Sequence, residues 1–331
     1  MAFFELEPWE QRYMKAALPK HKIQFFDKPL TKSKLKSIKN IDVLGVFVFS
    51  PITKEIIAKL PKLKLIVTFS TGFDHIDLKA CKEKNIAVAN VPYYGENTVA
   101  EHTFALLFAL AKKITESVAR TRTGDFSLKG LRGFDLKGKT LGIVGVGHIG
   151  SHVARMAKGF EMKLLGTCRT KDPQVAKETG LKYVPLNTLL KHSDIISLHL
   201  PLNEQTKYTL NKDAFKKMKK GVILINTARG PLIDTCALLK ALDNGTVAAA
   251  GLDVLEGECN IKEERQLLSP QFKQICDLKT VLEDHMLLQH KNVIITPHNA
   301  FNTKEALMRI MDTSVENLNA FLKGRKKNRV V

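Results

Sequence analysis

Short apolar runs rich in β-branched residues recur along this chain, and stretches with helical periodicity lie between most of them. The runs cover residues 41–49, 65–69, 87–91, 140–144, 162–167, 194–200, 222–226, 247–252 and 293–296. Near-continuous apolar strands that alternate with helices are typical of parallel sheets covered by helices on both faces. The pattern therefore predicts an α/β protein, and 331 residues correspond to roughly two domains.

The composition is that of a folded protein, with 44% hydrophobic and 26% charged residues. This excludes a collagenous or low-complexity chain. The longest purely apolar stretch, 104–111, is too short to span a bilayer, and the acidic N-terminus is unlike a signal peptide. The five cysteines are dispersed without a CxxC pair, which fits free thiols in a reducing compartment and argues against structural zinc. We expect a soluble, cytoplasmic protein without a metal site.

The formal net charge is +19, from 52 Lys and Arg residues against 33 Asp and Glu residues. Such a charge fits either a polyanionic partner or a Lys-rich solvated surface. The basic residues are spread along the whole chain, and no nucleic-acid-binding motif accompanies them. We therefore expect no nucleic-acid partner.

One predicted helix, residues 98–114 (TVAEHTFALLFALAKKI), is apolar nearly all round, with Asn97 as a candidate N-cap. A helix that is apolar on all faces must be buried on all faces. It either lies between two domains or two subunits, or it is a central core helix of one domain.

Residues 140–150 read TLGIVGVGHIG, a strand that runs directly into Gly145, Gly147 and Gly150 and then into a helix. This is the dinucleotide-binding pattern GxGxxG in its strand–turn–helix setting. The first glycine permits the tight turn, the second lets the backbone approach a pyrophosphate, and the third lets helix and strand pack closely. The helix N-terminus offers amide groups and a partial positive charge to the phosphates. The alternative is a glycine-rich turn without a ligand.

The next strand lacks the acidic residue that binds the ribose 2′-hydroxyl of NAD. It ends instead in Cys168, Arg169, Thr170 and Lys171. A thiol cannot accept the two ribose hydrogen bonds as a carboxylate does, whereas the two cations and the hydroxyl can hold a 2′-phosphate. The sequence therefore favours NADP(H), with NAD(H) left open if Arg169 is a surface cation that stacks on adenine.

Further ionisable residues, Arg229, Glu258 and His298, follow later strands of the predicted sheet. Ligands of open α/β folds bind at the carboxyl ends of the strands. An arginine offers a planar fork to a carboxylate, and a histidine gives a proton near neutral pH. A carboxylate beside that histidine fixes its tautomer and raises its pKa. Together these groups suit the reduction of a 2-keto acid, although each taken alone is better explained by a structural role.

The chain resembles the D-2-hydroxyacid dehydrogenase family, and within it the D-lactate dehydrogenases. The matching segments are FSTGFDHIDL (69–78), NVPYYGENTVAEH (90–102), LGIVGVGHIG (141–150), HLPLNEQT (199–206), INTARGPLID (225–234), GLDVLEGE (251–258) and TPHNAF (296–301). The resemblance implies that Arg229 holds the substrate carboxylate, that His298 is the acid–base, and that Glu258 is its partner.

The resemblance also implies the remaining contacts of the site. Thr71 and Gly72 match a loop whose amides bind the substrate carboxylate, and Tyr94 and Phe301 match aromatic residues of a small substrate pocket, unless they are plain core aromatics. Asp253 matches an aspartate near the nicotinamide. The other expected cofactor contacts are Thr98, His148, Ile149, Leu200, Pro201, Thr206, Thr227, Ala228 and Ala300.

The strand pattern and the resemblance together predict two doubly wound parallel-sheet domains, a Rossmann cofactor domain inserted in a flavodoxin-like substrate domain. Residues 99–297 would form the cofactor domain, and residues 1–98 with 298–331 the substrate domain, with a hinge at the two crossings. The family implies a homodimer supported by helix 98–114. Reduction of pyruvate to D-lactate is the favoured activity. The rivals are a glyoxylate/hydroxypyruvate reductase and a dinucleotide-sensing, corepressor-like regulator.

Overall fold

The computed structural model describes residues 1–257 and 278–331. This part of the chain divides into two compact units, Met1–Gly95 with Asn302–Val331, and Glu96–Phe301. The boundaries differ from the predicted crossings at 98/99 and 297/298 in a consistent way. The long helix already begins at Glu96, and the backbone amide of His298 bonds to the carbonyl of Asp253, so Thr98 and His298 both lie in the second unit.

The first unit contains a parallel sheet with the strand order β2-β1-β3-β4-β5. This order is that of the flavodoxin-like fold, as predicted. Its strands are β1 (Ala2–Phe3), β2 (Gln24–Phe25), β3 (Val43–Val46), β4 (Leu65–Thr68) and β5 (Ala87–Ala89). Its α-helices are α1 (Pro8–Ala17), α2 (Lys54–Ala58), α3 (Leu78–Glu83) and the C-terminal α12 (Lys304–Leu322).

The second unit contains a larger parallel sheet with the order β12-β11-β10-β9-β6-β7-β8. Its strands are β6 (Thr140–Val144), β7 (Lys163–Thr167), β8 (Lys182–Tyr183), β9 (Ile195–Leu198), β10 (Val222–Asn226), β11 (Val247–Leu252) and β12 (Val293–Ile295). Its helices are α4 (Glu96–Ala111), α5 (Ile114–Arg122), α6 (His148–Gly159), α7 (Pro173–Thr179), α8 (Leu186–His192), α9 (Lys212–Phe215), α10 (Thr235–Asp243) and α11 (Leu278–Gln289). The chain builds outward from β6 through β7 to β8 and then returns to β9, which makes β6/β9 the topological switch point of a Rossmann fold.

Apolar side chains cover both faces of the second sheet, as the near-continuous apolar strands predict. One cluster joins β9 and β10 to α10, for example through Leu198, Leu224 and Leu238. The other joins β6 to α4 and α6, for example through Leu107 and Val153. Helices on both faces fix this sheet, so that its strand ends are the positions available to ligands.

The helix predicted over 98–114 begins earlier and ends earlier than its pattern indicates. It starts at Glu96, so Asn97 lies in its first turn and is not the N-cap. The backbone N–H of Phe134 donates to the carbonyl of Ala111, the last residue of the helix. Lys113 has a left-handed backbone conformation with φ +54°. A tertiary contact therefore ends α4, and Ile114 opens α5. No helix in the two described ranges combines the length and apolarity needed to cross a membrane.

Candidate active site

The strands β10, β11 and β12 are neighbours and run parallel, and their registers align their carboxyl ends. Asn226 lies opposite Leu252, and Leu252 lies opposite Ile295. Neighbouring strands are about 4.8 Å apart, so the loops that leave these residues start within roughly 10 Å of one another. The structure therefore brings the Arg229 and His298 loops to one edge of the sheet, with Asp253 between them.

The Arg229 loop is fixed by the side chain of the last residue of β10. The amide nitrogen of Asn226 donates to the carbonyl of Arg229 at 2.9 Å, and its amide oxygen accepts from the N–H of Ala228 at 3.0 Å. The guanidinium donates through Nη1 to the carbonyl of Ala228 at 2.7 Å. A Cβ at Gly230 would overlap the carbonyl of Leu255, so only glycine lets this loop pass the end of β11.

The His298 loop is held by Asp253, a carboxylate that is almost fully buried. Its oxygens accept from the N–H groups of Asn299 and Ala300 at 3.0 and 2.9 Å and from the hydroxyl of Thr296 at 2.5 Å. The backbone carbonyl of Asp253 accepts from the N–H of His298 at 2.9 Å. Asp253, predicted as a cofactor contact, thus also sets the backbone on both sides of His298.

Helix α4 supplies polar side chains that the sequence reading did not single out. The hydroxyls of Thr103 and Thr227 are 2.9 Å apart, and Nε2 of His102 is 3.0 Å from the hydroxyl oxygen of Thr296. A signal for them exists in the sequence, because His102 and Thr103 are polar residues of a helix that is apolar nearly all round. Their partners could not be found locally, since they lie at the ends of β10 and β12.

The carboxylate of Glu256, in the loop after β11, is hydrogen-bonded to two hydroxyl groups. It accepts from the hydroxyl of Thr235 at 2.8 Å and from the hydroxyl of Tyr208. This second bond is the main cause of a raised pKa of Tyr208. Glu256 therefore has a structural role, in which it joins the loop after β11 to Tyr208 and Thr235. Glu258 itself lies outside the described residues.

The glycine turn after β6 has the shape of a phosphate cradle. Gly145 has φ +100°, and a Cβ there would come within 2.6 Å of the His199 carbonyl. A Cβ at Gly150 would overlap the carbonyl of Gly145, whereas one at Gly147 would meet nothing within 4 Å. The first bond of α6 runs from the N–H of Ser151 to the carbonyl of Gly147, so the amides of Ile149 and Gly150 precede it. These residues fit a pyrophosphate at the helix N-terminus.

The end of β7 carries the residues expected to contact the cofactor ribose. Arg169, Thr170 and Lys171 are exposed, and neither cation forms an ion pair with any residue in the described ranges. The thiol of Cys168 is 3.0 Å from the carbonyl of Thr170. Burial is the main cause that raises the pKa of Cys168, so this group stays a neutral thiol near pH 7.

Other predicted cofactor contacts lie at the same edge of the second unit. The turn after β9 is closed by Thr206, whose hydroxyl donates to the carbonyl of Pro201 at 2.6 Å. Leu200 is half-buried beside Gly145, and His148 lies 3.4 Å from Glu96. Thr98 is buried on α4, and Ala228 is half-buried in the Arg229 loop. Phe301, which is predicted as a substrate contact, is half-buried at the end of the unit.

Thr71, Gly72 and Tyr94 belong to the first unit. The carbonyls of Thr71 and Gly72 accept from the side chains of Asn90 and Ser70, at 2.8 and 2.6 Å. Their backbone N–H groups donate to no acceptor in the part of the chain that the structure describes. The carbonyl of Tyr94 accepts from Nε of Arg309 at 2.6 Å. The loop after β4 thus presents two adjacent amides, an arrangement that suits a carboxylate oxygen.

Comparisons with known proteins agree with this geometry. Residues 104–300 match the family model of the NAD-binding domain of D-isomer-specific 2-hydroxyacid dehydrogenases. The chain is 39% identical over 297 residues to a glyoxylate reductase of Thermococcus litoralis, covering 88% of this chain and 83% of that one. It is 35% identical over 334 residues to a D-lactate dehydrogenase of Escherichia coli, covering 98% and 97%. It superposes with TM-score 0.87 and 37% identity on a D-lactate dehydrogenase of Aquifex aeolicus complexed with NAD and lactic acid, covering 98% and 95%.

Proposed function

The chain belongs to the D-isomer-specific 2-hydroxyacid dehydrogenase family, and from this premise we propose that it reduces pyruvate to D-lactate, with NADPH as the favoured cofactor. As a member of this family it is an NAD-dependent oxidoreductase of 2-keto and 2-hydroxy acids. The observation that carries the proposal is the alignment of the ends of β10, β11 and β12, because Arg229, Asp253 and His298 lie in the loops that follow these neighbouring strands.

Arg229 is the proposed clamp for the keto acid. Its planar fork binds the carboxylate and polarises the adjacent keto oxygen, while the Asn226 contacts keep its backbone in place. The amides of Thr71 and Gly72 and the side chains of Tyr94 and Phe301 keep their assignment as substrate contacts on the family resemblance.

His298 is the proposed acid–base, held by Glu258 as the resemblance implies. In the reducing direction its imidazolium delivers a proton to the keto oxygen, and in the other direction the neutral imidazole takes it back. When bound at the glycine turn, a nicotinamide cofactor would supply the hydride for the keto carbon. One hydride and one proton convert the ketone to the alcohol, so no further reactant is needed.

The glycine turn is the proposed pyrophosphate site, and the end of β7 selects the ribose. The two exposed cations Arg169 and Lys171 support a 2′-phosphate, since a planar guanidinium and an ammonium both bind phosphate oxygens. The neutral thiol of Cys168 supports it as well, because it does not repel a phosphate as an acidic residue does. We expect a higher kcat/KM with NADPH than with NADH, and Arg169→Ala should reduce that preference. A clear preference of the wild-type enzyme for NADH would contradict the assignment.

The substrate is tested by steady-state kinetics with pyruvate, 2-ketobutyrate, phenylpyruvate, glyoxylate and hydroxypyruvate, each with both cofactors. We expect the highest kcat/KM with pyruvate. The glyoxylate/hydroxypyruvate reductase alternative is favoured by the identity to the Thermococcus litoralis enzyme. A kcat/KM for glyoxylate or hydroxypyruvate above that for pyruvate would establish this alternative instead.

The assembly and location follow from other observations. We propose a homodimer, because α5 and the segment after it carry the exposed apolar side chains Ile114, Val118, Phe126 and Leu128.

We propose a reducing, cytoplasmic location, because Cys81, Cys168 and Cys236 are free thiols.

A further inference from the structure

His102 lies on α4 and contacts residues at the carboxyl edge of the second sheet. Its Nε2 atom is 3.0 Å from the hydroxyl oxygen of Thr296 and 3.4 Å from Oδ1 of Asp253. The side chain is 20% exposed, whereas that of Asp253 is fully buried. A polar ring that is largely buried costs free energy unless its hydrogen bonds are made.

The direction of these hydrogen bonds follows from the number of protons. The Thr296 hydroxyl has one proton, and its oxygen is 2.5 Å from Oδ1 of Asp253. An ionised carboxylate only accepts, so the hydroxyl proton points at Asp253. The same hydroxyl oxygen must then accept from His102. His102 therefore carries a proton on Nε2, and the chain of donors runs from His102 to Thr296 to Asp253.

The end of this chain is the backbone around His298. Asp253 accepts from the amides of Asn299 and Ala300 with its carboxylate and from the amide of His298 with its carbonyl. His298 has φ +52°, in the left-handed region that non-glycine residues adopt rarely and at a cost. The amide of His298 is also 2.9 Å from the carbonyl of Thr296. Asp253 is thus one of the groups that hold this conformation, and the orientation of its carboxylate depends on Thr296 and His102.

We propose that His102 is a positioning residue of the reaction: its Nε2–H group locks the Thr296–Asp253 pair and so holds His298 in the left-handed conformation from which it transfers the proton. This inference rests on the proposed role of His298 as the acid–base. Helix α4 would then contribute to the reaction as well as to packing, because His102 positions a loop that lies almost 200 residues later in the chain.

The test compares His102→Gln with His102→Leu. The Gln side chain keeps a nitrogen donor near the position of Nε2, whereas the Leu side chain fills the space without one. We expect His102→Leu to lower kcat about 10- to 100-fold, the range that corresponds to leaving a buried hydrogen-bonding group without its partner. The KM of the keto acid and the Kd of the cofactor should change less than about threefold, because neither ligand is proposed to touch His102. His102→Gln should restore kcat to within about threefold of the wild-type value.

The controls separate this inference from the proposed function. His192→Leu is the matched control, an exposed histidine at the end of α8, and should leave kcat unchanged. If the wild-type enzyme turns over and His298→Gln does not, while His102→Leu retains wild-type kcat, the inference fails and the proposed function stands. Equal losses of kcat in His102→Leu and His102→Gln also contradict it, since a bond-specific role requires rescue. If the wild-type enzyme reduces no 2-keto acid, both fail together.

A spectroscopic readout does not depend on turnover. In protein with ¹⁵N-labelled histidine, the ring signals of His102, identified by their loss in His102→Gln, should show the tautomer protonated on Nε2. The tautomer protonated only on Nδ1 would overturn the proposed donor chain, because Thr296 would then have no proton left for Asp253.

Discussion

The guanidinium of Arg229 folds back onto its own loop, where Nη1 donates to the carbonyl of Ala228. A guanidinium carries five N–H donors in a rigid plane, so it can keep this bond and still bind both oxygens of a carboxylate. An ammonium is a point charge without that fork. The residue type, and not its charge alone, is therefore what the proposed site requires at position 229.

Arg229→Lys should lower kcat/KM for the keto acid about 100-fold, the loss expected when a bidentate, charge-assisted contact of roughly 2–3 kcal/mol is removed. Cofactor affinity should be unchanged. Arg155→Lys, at an exposed position on α6 where Arg155 pairs with Glu178, is the matched control. Near wild-type kcat/KM in Arg229→Lys would remove Arg229 from the clamp role.

His298→Gln should reduce kcat by about 10²- to 10⁴-fold, the usual contribution of a positioned general acid. The Gln side chain cannot act as a general acid, because it does not titrate. It still donates hydrogen bonds, so we expect the site to keep its shape and the cofactor to bind with wild-type affinity in a fluorescence titration. Turnover near the wild-type value at pH 7 would mean that another group supplies the proton.

His199, the residue after β9, makes stability depend on pH. Its ring is buried, with Nε2 2.8 Å from the Ser197 hydroxyl and no partner for Nδ1 among the described residues. Burial lowers its pKa from 6.5 to about 3. Between these values the unfolded chain binds the proton and the folded chain does not. The stabilising effect of the neutral ring is therefore complete above pH 6.5 and is lost progressively towards pH 3.

From this linkage, the wild-type protein should lose about 2 kcal/mol of unfolding free energy between pH 7.5 and pH 5 through His199 alone. Urea unfolding at both pH values measures this loss, and His199→Leu, which cannot titrate, should show a correspondingly smaller loss. The same pH dependence in both proteins would show that His199 is not the group responsible.

At the scale of elements, the GxGxxG turn between β6 and α6 needs glycine for two different reasons: close packing of helix and strand at one position, and space for a ligand at another. Gly150 is required for packing, because a Cβ would overlap the Gly145 carbonyl, whereas the space beside Gly147 is open. Gly147→Ala should keep the melting temperature and raise the cofactor Kd at least about tenfold, since a methyl group would stand where the pyrophosphate approaches. Gly150→Ala should lower the melting temperature. Unchanged cofactor affinity in Gly147→Ala would contradict the cradle.

At the scale of the whole molecule, Phe126 and Leu128 are 79% and 84% exposed, which is costly for side chains of this size on an isolated chain. We expect the double variant Phe126→Ser/Leu128→Ser to shift the mass in sedimentation equilibrium from a dimer towards a monomer. Leu322→Ser, 41% exposed at the end of α12, is the control that should stay dimeric. A monomeric wild-type protein would contradict the proposed assembly.

The amino-acid sequence was sufficient to predict the fold class and most of the elements on which the site is built. The runs at 140–144, 222–226 and 247–252 coincide with β6, β10 and β11, because a buried strand needs a continuous apolar segment that can be seen locally. The motifs also placed Arg229, Asp253 and His298 after strand ends. Since carboxyl ends of parallel strands share one edge, the sequence was sufficient to predict that these residues lie on the same side.

The remaining features depend on contacts between distant parts of the chain. The strands β1, β2 and β8 have two residues each and no pattern of their own, so they exist because a neighbouring strand pairs with them. The end of α4 is set by the amide of Phe134, and the partner of His102 is Thr296. Such contacts join residues far apart in the chain, and the physical reason they escape the sequence is that local periodicity records how deeply a residue is buried but not which distant group it meets.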